Sequence, residues 1–88
     1  MVDESIGNIT KVLKDNKILD NTIIIFSSDN GGHFGAGGYN YPYRGGKGGI
    51  FEGTYITPSF IYAPKLFSKT SGQIFDGLIH LIDWVCYY

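Results

Sequence analysis

Glycine is concentrated in one part of this 88-residue chain, and that concentration constrains the fold more than any other feature. Ten of the thirteen glycines lie between Gly31 and Gly53. Because glycines punctuate regular structure, we expect a long loop there, with helices or strands on either side. Loops of this length are usually functional or disordered, and aromatic residues within this one favour packing over disorder. We interpret Tyr39, Tyr41 and Tyr43 as anchors of the loop, with a role in walling a substrate pocket as the alternative.

The segments around this loop predict an α/β fold. Apolar residues recur at spacings of three and four over residues 2–14, which predicts an amphipathic helix. Residues 22–27 are β-branched and apolar on both faces, as in a central strand covered by helices. Residues 58–63 predict a second strand, and the apolar run 78–82 leads to Asp83, which is placed to cap a further helix. At this length we expect one domain or a piece of one.

Composition and charge exclude several classes of function. Hydrophobic residues make up 43% of the chain and charged residues 17%, which favours a globular interior. The net charge of -1 provides no basic field for nucleic acid, so we expect no nucleic-acid partner. We expect no membrane partner either, because no run of about eighteen apolar residues occurs. The first residues do not resemble a signal peptide, so targeting signals predict no location. The single cysteine, Cys86, forms no internal disulfide, and we interpret it as a packing residue.

The first candidate site is Asp29-Asn30-Gly31-Gly32, directly after the first predicted strand. In open α/β sheets, ligands bind beyond the carboxyl ends of the strands. A carboxylate beside an amide carbonyl provides two hard oxygen ligands, which suit Ca²⁺ or Mg²⁺. The alternative is an ordinary turn that ends a strand, since Asp-Asn-Gly is a common turn sequence.

The second candidate site is the run 44–49, Arg-Gly-Gly-Lys-Gly-Gly, followed by Phe-Glu-Gly at 51–53. Basic side chains among glycines can bind an anion together with backbone amides, as in many phosphate and sulfate sites. The run is not a P-loop, because no Gly-Lys-Ser/Thr opens a helix at the required spacing. A flexible, solvated loop is the alternative.

Three further residues have candidate roles. His33 follows the acidic turn closely enough to be a metal ligand, a proton donor or a substrate contact. His80 lies in an apolar run, which favours a partly buried imidazole with a structural hydrogen bond. Asn8-Ile9-Thr10 matches the acceptor pattern for N-glycosylation, which matters only if the chain enters the secretory pathway.

In this order and spacing, the motifs resemble the sulfatase family, most closely its arylsulfatase B-like branch. The likeness runs over nearly the whole chain. It is carried by the helix 3–10, by NTIIIFSSDNGG at 21–32, by GGYNYPYRGGK at 37–47 and by FEG at 51–53. The resemblance implies an α/β fold with part of an alkaline-phosphatase-like sheet and flanking helices. Residues 1–88 would then be a truncated piece from the C-terminal part of the catalytic domain.

The resemblance also implies a chemistry. The activity would be Ca²⁺-dependent hydrolysis of sulfate esters, of the N-acetylgalactosamine-4-sulfatase type, on a sulfated carbohydrate or aryl sulfate. Asp29 and Asn30 would be Ca²⁺ ligands, and Lys47 would be the catalytic residue that contacts the sulfate, with His33 as a further substrate contact. The family's nucleophile is a formylglycine made from the cysteine of a Cys-x-Pro-x-Arg motif. A lysosomal or secreted location is implied by the family alone.

Departures from the family pattern set limits on this prediction. Cys86 is followed by Tyr87 and Tyr88, so the formylglycine motif does not occur in these 88 residues, and we expect the isolated chain to be inactive. After residue 53 the family has a second glycine, an arginine and a proline, whereas Thr54, Ile56 and Pro58 occur here. Two alternatives stay open: a metal-dependent phosphatase or phosphodiesterase of the same superfamily, and a truncated product without catalysis.

Overall fold

The computed structural model describes residues 1–69 and 72–84. It contains helix α1 (Val2–Asp15), strand β1 (Ile24–Ser27), helix α2 (Glu52–Tyr55) and strand β2 (Ser59–Tyr62). Short 3₁₀ helices at Leu19–Asn21, Phe34–Ala36 and Leu81–Trp84 lie between or after them. Among the helices described, none combines the length and apolar character needed to cross a membrane.

Helix α1 confirms the helix predicted from the apolar spacing. Its first turn carries Asp3 and Glu4, and Lys14 lies in its last turn, so the charges complement the helix dipole. The helix ends at Asp15, and the backbone N–H and side-chain amide of the following Asn16 both donate to the Val12 carbonyl, at 3.1 and 2.8 Å. Both bonds go to one carbonyl, among those that the last turn of a helix would otherwise leave unpaired.

Both predicted strands form, and they pair with each other. β1 and β2 are antiparallel, with Ile24 opposite Tyr62 and Ser27 opposite Ser59. The rings of Phe26 and Phe60 stack with their centroids 5.4 Å apart. β1 begins later than predicted because Thr22 closes the preceding turn: its N–H donates to the Leu19 carbonyl at 3.1 Å.

In the residues that the structure describes, β1 lacks the helical cover expected on both of its faces. Ile25 is 52% exposed and Phe60 is 41% exposed. The part of the chain that the structure describes has a two-stranded sheet, and α1 makes its contacts with the 3₁₀ helix Leu19–Asn21. No helical layer therefore lies over either face of the strand in the described structure.

Burial is concentrated in and around the glycine-rich loop and not in an apolar core. Among the described hydrophobic residues, only Ala63 is buried. The other buried residues of the described chain are three glycines and a threonine, at positions 31, 46, 53 and 54. The loop predicted over residues 31–53 is thus a packed segment. It contains the 3₁₀ helix Phe34–Ala36 and the start of α2.

Candidate functional site

The acidic turn, residues 29–32, begins at the end of β1 and is fixed there by the strand's partner. Ser28 donates its backbone N–H to the Pro58 carbonyl at 3.2 Å. Thr57 donates its hydroxyl to the Ser28 carbonyl at 3.0 Å. Asp29 is exposed beyond these bonds, and Asn30 is half-buried. The turn therefore presents its carboxylate to solvent from an anchored strand end.

The atoms of the acidic turn fit part of a calcium site. Asn30 donates its side-chain N–H to the Gly31 carbonyl at 2.9 Å, which leaves the amide oxygen as the atom for a cation. With the Asp29 carboxylate, this gives the hard oxygen donors that Ca²⁺ prefers. Ca²⁺ takes about six to eight oxygen ligands. Within residues 1–69 and 72–84, no group of three or more His, Cys, Asp or Glu side chains is placed to hold a metal, so these two residues form an incomplete set.

Gly31 packs the acidic turn against the start of α2. Its N–H donates to the Thr54 carbonyl at 2.9 Å. A Cβ atom on Gly31 would overlap the Gly53 carbonyl oxygen, so no side chain fits here without moving the backbone. Close packing against the Gly53 carbonyl therefore requires glycine at position 31.

The lysine loop, residues 44–49, lies directly beside the acidic turn. Lys47 donates its backbone N–H to the Gly32 carbonyl at 3.3 Å. A Cβ atom on Gly46 would lie 2.5 Å from that same carbonyl oxygen. The structure thus brings the Lys47 backbone next to the turn that carries Asp29 and Asn30, while the Lys47 side chain is exposed.

The two basic residues of the lysine loop have different surroundings. The Arg44 guanidinium lies over the Phe51 ring, with Cζ 4.1 Å from the ring centroid. This is a cation–π contact. Arg44 is therefore engaged by an aromatic ring, whereas Lys47 presents its ammonium group on an exposed side chain.

Two polar residues that the sequence reasoning missed hold this region together. The Asn40 carboxamide accepts from the Gly32 N–H at 2.8 Å and donates to the Gly32 and Gly45 carbonyls, both at 3.0 Å. The buried Thr54 donates its hydroxyl to the Gly46 carbonyl at 2.8 Å. The sequence offers only a weak signal for these bonds. Amide and hydroxyl side chains readily pair with backbone groups, but the residue type does not say with which ones.

Two interpretations of aromatic and imidazole side chains were wrong. Tyr39 and Tyr41 are 83% and 77% exposed, and their rings stack on each other, so they do not anchor the loop. Tyr43 is 41% exposed. His80 is exposed and not partly buried, because the run around it packs against little else in the described chain. Its Nδ1 does accept a backbone bond, from Ile82 N–H at 3.3 Å.

The remaining candidate residues are His33, Asp83 and Cys86. His33 is exposed, and its carbonyl accepts from Ala36 and Gly38 N–H at 3.0 and 2.9 Å. Asp83 lies inside the 3₁₀ helix Leu81–Trp84, and its carboxylate accepts from the preceding His80 N–H at 2.7 Å; the helix predicted after it falls outside the described residues. Cys86 lies outside the described residues.

Comparison with known proteins identifies the family. A family model described as Sulfatase matches residues 1–86. The chain belongs to the sulfatase family. The resemblance found in the sequence is thereby confirmed.

Curated relatives of this sulfatase chain match it along most of its length. Arylsulfatase J of Mus musculus is 45% identical over 83 residues, which cover 94% of this chain and 14% of that protein. N-acetylgalactosamine-6-sulfatase of Homo sapiens is 36% identical over 86 residues, covering 93% of this chain and 16% of that protein. Arylsulfatase of Clostridium perfringens is 36% identical over 83 residues, with coverages of 93% and 16%. No solved structure gives a significant match.

The chain spans between 14% and 16% of the length of these three relatives. Of the predicted fold, membership of the sulfatase domain is confirmed, and the strands and helices described agree with part of an α/β fold. The alkaline-phosphatase-like sheet remains a prediction.

Proposed function

We propose that residues 1–88 supply part of the active site of a sulfate ester hydrolase. The observation that carries the proposal is the hydrogen bond from Lys47 N–H to the Gly32 carbonyl, at 3.3 Å. This bond joins the lysine loop, which carries the exposed ammonium group, to the acidic turn, which carries the two oxygen donors. A sulfate group between them would contact the Lys47 ammonium group on one side and Ca²⁺ held by the acidic turn on the other.

Each residue has a distinct part in this proposal. Asp29 and Asn30 would hold Ca²⁺ through a carboxylate and an amide oxygen, with further ligands from outside these 88 residues. When bound, Ca²⁺ supplies positive charge that polarises sulfate oxygens. Lys47 binds the sulfate and offsets the negative charge that grows on oxygen as the S–O bond breaks. His33, exposed on the same glycine-rich segment, is a proposed substrate contact.

The setting of the site follows from the family. Residues 1–88 would be the C-terminal part of a catalytic domain with an alkaline-phosphatase-like sheet, and the formylglycine nucleophile would come from elsewhere in that domain. The isolated chain would then be inactive. The substrate would be a sulfated carbohydrate or an aryl sulfate, including the N-acetylgalactosamine 4-sulfate type. The names of the relatives, arylsulfatase and N-acetylgalactosamine-6-sulfatase, support this class.

We also propose a lysosomal or secreted location. Such a protein enters the secretory pathway, where Asn8 would be an acceptor for N-glycosylation. Asn8 is exposed on α1, where a glycan would have room. Digestion of secreted protein with an N-glycosidase tests this site: loss of one glycan mass from the wild type but not from Asn8→Gln supports it. An unchanged wild-type mass contradicts it.

The catalytic proposal is tested in a full-length host. Residues 1–88 replace the matched segment of mouse arylsulfatase J, which is co-expressed with the enzyme that makes formylglycine. We expect Ca²⁺-dependent hydrolysis of an aryl sulfate. Lys47→Met should lower kcat/KM by about 100- to 1,000-fold, the usual effect of removing a group that stabilises charge in the transition state.

Lys65→Met is the matched control. Lys65 is also exposed, and its ammonium donates to the Asn21 side-chain oxygen at 2.8 Å, away from the acidic turn. Its loss should leave kcat/KM unchanged. Equal effects of the two substitutions would contradict a role for Lys47. Faster turnover of a phosphate ester than of the matching sulfate ester would favour the phosphatase alternative.

A further inference from the structure

We infer that Asn40 is a positioning residue that fixes the lysine loop against the acidic turn. Its one carboxamide joins both elements: it binds Gly32, two residues after Asn30, and Gly45, two residues before Lys47. The inference rests on the proposed function, because it assigns Asn40 a role in setting Lys47 relative to the calcium ligands.

The chain between the two elements does not fix their separation by itself. Three of the eleven residues at positions 33–43 are glycines, and one of them, Gly37, has a positive φ angle of 80°. Hydrogen bonds between the two elements are therefore needed to hold Lys47 in one place, and the Asn40 carboxamide adds its bonds to that of Lys47 N–H with the Gly32 carbonyl. Asn40 is half-buried between the segments that it joins.

The geometry uses every polar atom of the carboxamide. Oδ1 accepts one bond at 2.8 Å, and the two N–H groups of Nδ2 donate two bonds, both at 3.0 Å. A planar amide with all three bonds made has one orientation. Aspartate has the same shape but loses both donors, and it would place a carboxylate oxygen against the Gly32 and Gly45 carbonyls. Asn40→Asp therefore removes the link with almost no change of volume.

Other bonds keep the segment folded when this link is lost. Thr54 still donates to the Gly46 carbonyl at 2.8 Å, and Gly53 N–H still donates to the Arg44 carbonyl at 2.8 Å. These bonds tie the lysine loop to α2, and the one direct bond described from the loop to Gly32 is then that of Lys47 N–H, at 3.3 Å. We therefore expect Asn40→Asp to shift the loop relative to the acidic turn without unfolding it.

A double-mutant cycle in the host enzyme tests whether Asn40 acts through Lys47. Asn40→Asp alone should lower kcat/KM by about 10- to 100-fold, as expected when a residue that orients a catalytic group is lost. In a Lys47→Met background the same substitution should cost less than about threefold, because the group that it positions is already absent. Asn40→Gln retains both donors and the acceptor, so its loss should be smaller than that of Asn40→Asp.

Asn16→Asp is the matched control. Asn16 also donates its side-chain N–H to a backbone carbonyl, that of Val12 at 2.8 Å, but at the end of α1. It should leave kcat/KM within about twofold of the wild type. Thermal melts check that each variant is folded, and the Asn40→Gln cycle decides the matter if Asn40→Asp does not fold.

The outcomes separate this inference from the proposed function. If the host with residues 1–88 hydrolyses sulfate esters but the costs of Asn40→Asp and Lys47→Met multiply, Asn40 is a structural residue and the inference is overturned. If the Asn16 and Asn40 variants behave alike, it is also overturned. A host with no turnover at all contradicts the proposed function itself and removes this role with it.

Discussion

Removal of the Thr54 hydroxyl is the perturbation whose effect can be worked out most fully. Thr54 is 7% exposed, and its hydroxyl donates to the Gly46 carbonyl at 2.8 Å. Thr54→Val keeps the shape of the side chain, so no cavity forms, and the cost is that of the lost bond. The Gly46 carbonyl also accepts from Gly49 N–H at 2.9 Å, so it keeps one partner. We therefore expect a cost of about 1–1.5 kcal/mol, within the usual range for one hydrogen bond.

Hydrogen–deuterium exchange in the host enzyme measures this cost locally. A loss of about 1–1.5 kcal/mol in the free energy of local opening speeds exchange by about 5- to 13-fold. The change should appear in peptides that cover residues 44–54. Thr10→Val is the control, because the Thr10 hydroxyl also donates to a glycine carbonyl, that of Gly7 at 2.9 Å, but on α1. Unchanged exchange at 44–54 in Thr54→Val, or an equal change in Thr10→Val, would refute the reasoning.

Two further experiments test the packing of the site. Gly31→Ala should destabilise the host by about 3 kcal/mol, the upper part of the usual range for overpacking, because the new Cβ overlaps the Gly53 carbonyl. Gly7→Ala is the control and should be neutral or stabilising, because nothing lies within 4 Å of a Cβ atom there. Similar denaturation midpoints for the two variants would contradict the packing described at Gly31. A double-mutant cycle of Arg44→Met and Phe51→Leu should show a coupling free energy of unfolding of about 0.5–1 kcal/mol, as for an exposed cation–π pair. If the two losses of unfolding free energy simply add, the contact contributes nothing to stability.

Local patterns were sufficient to predict the regular elements. The apolar spacing and terminal charges of residues 2–14 predicted α1, which extends over Val2–Asp15. The β-branched run before Asp29 and the apolar run before Pro64 predicted β1 and β2. These elements depend on side-chain periodicity and capping, which are visible over a few neighbouring residues.

The packing of the glycine-rich segment could not be predicted in the same way. Asn40 and Thr54 each bond to backbone groups eight residues away, and such partners depend on how the loop folds back. The prediction that the tyrosines anchor the loop was wrong for a related reason. An aromatic side chain indicates that apolar area is to be buried, but not which surface covers it. Tyr39 and Tyr41 find no such surface in the described chain beyond each other.

The most direct test of the central claim is a crystal structure of the host enzyme, carrying residues 1–88, with Ca²⁺ and inorganic sulfate. We predict the Asp29 carboxylate and the Asn30 amide oxygen at about 2.3–2.6 Å from the cation. We predict the Lys47 ammonium at about 2.7–3.2 Å from an oxygen of the bound sulfate. An ammonium group of Lys47 that points away from Asp29 and Asn30, with no anion between them, would contradict the account.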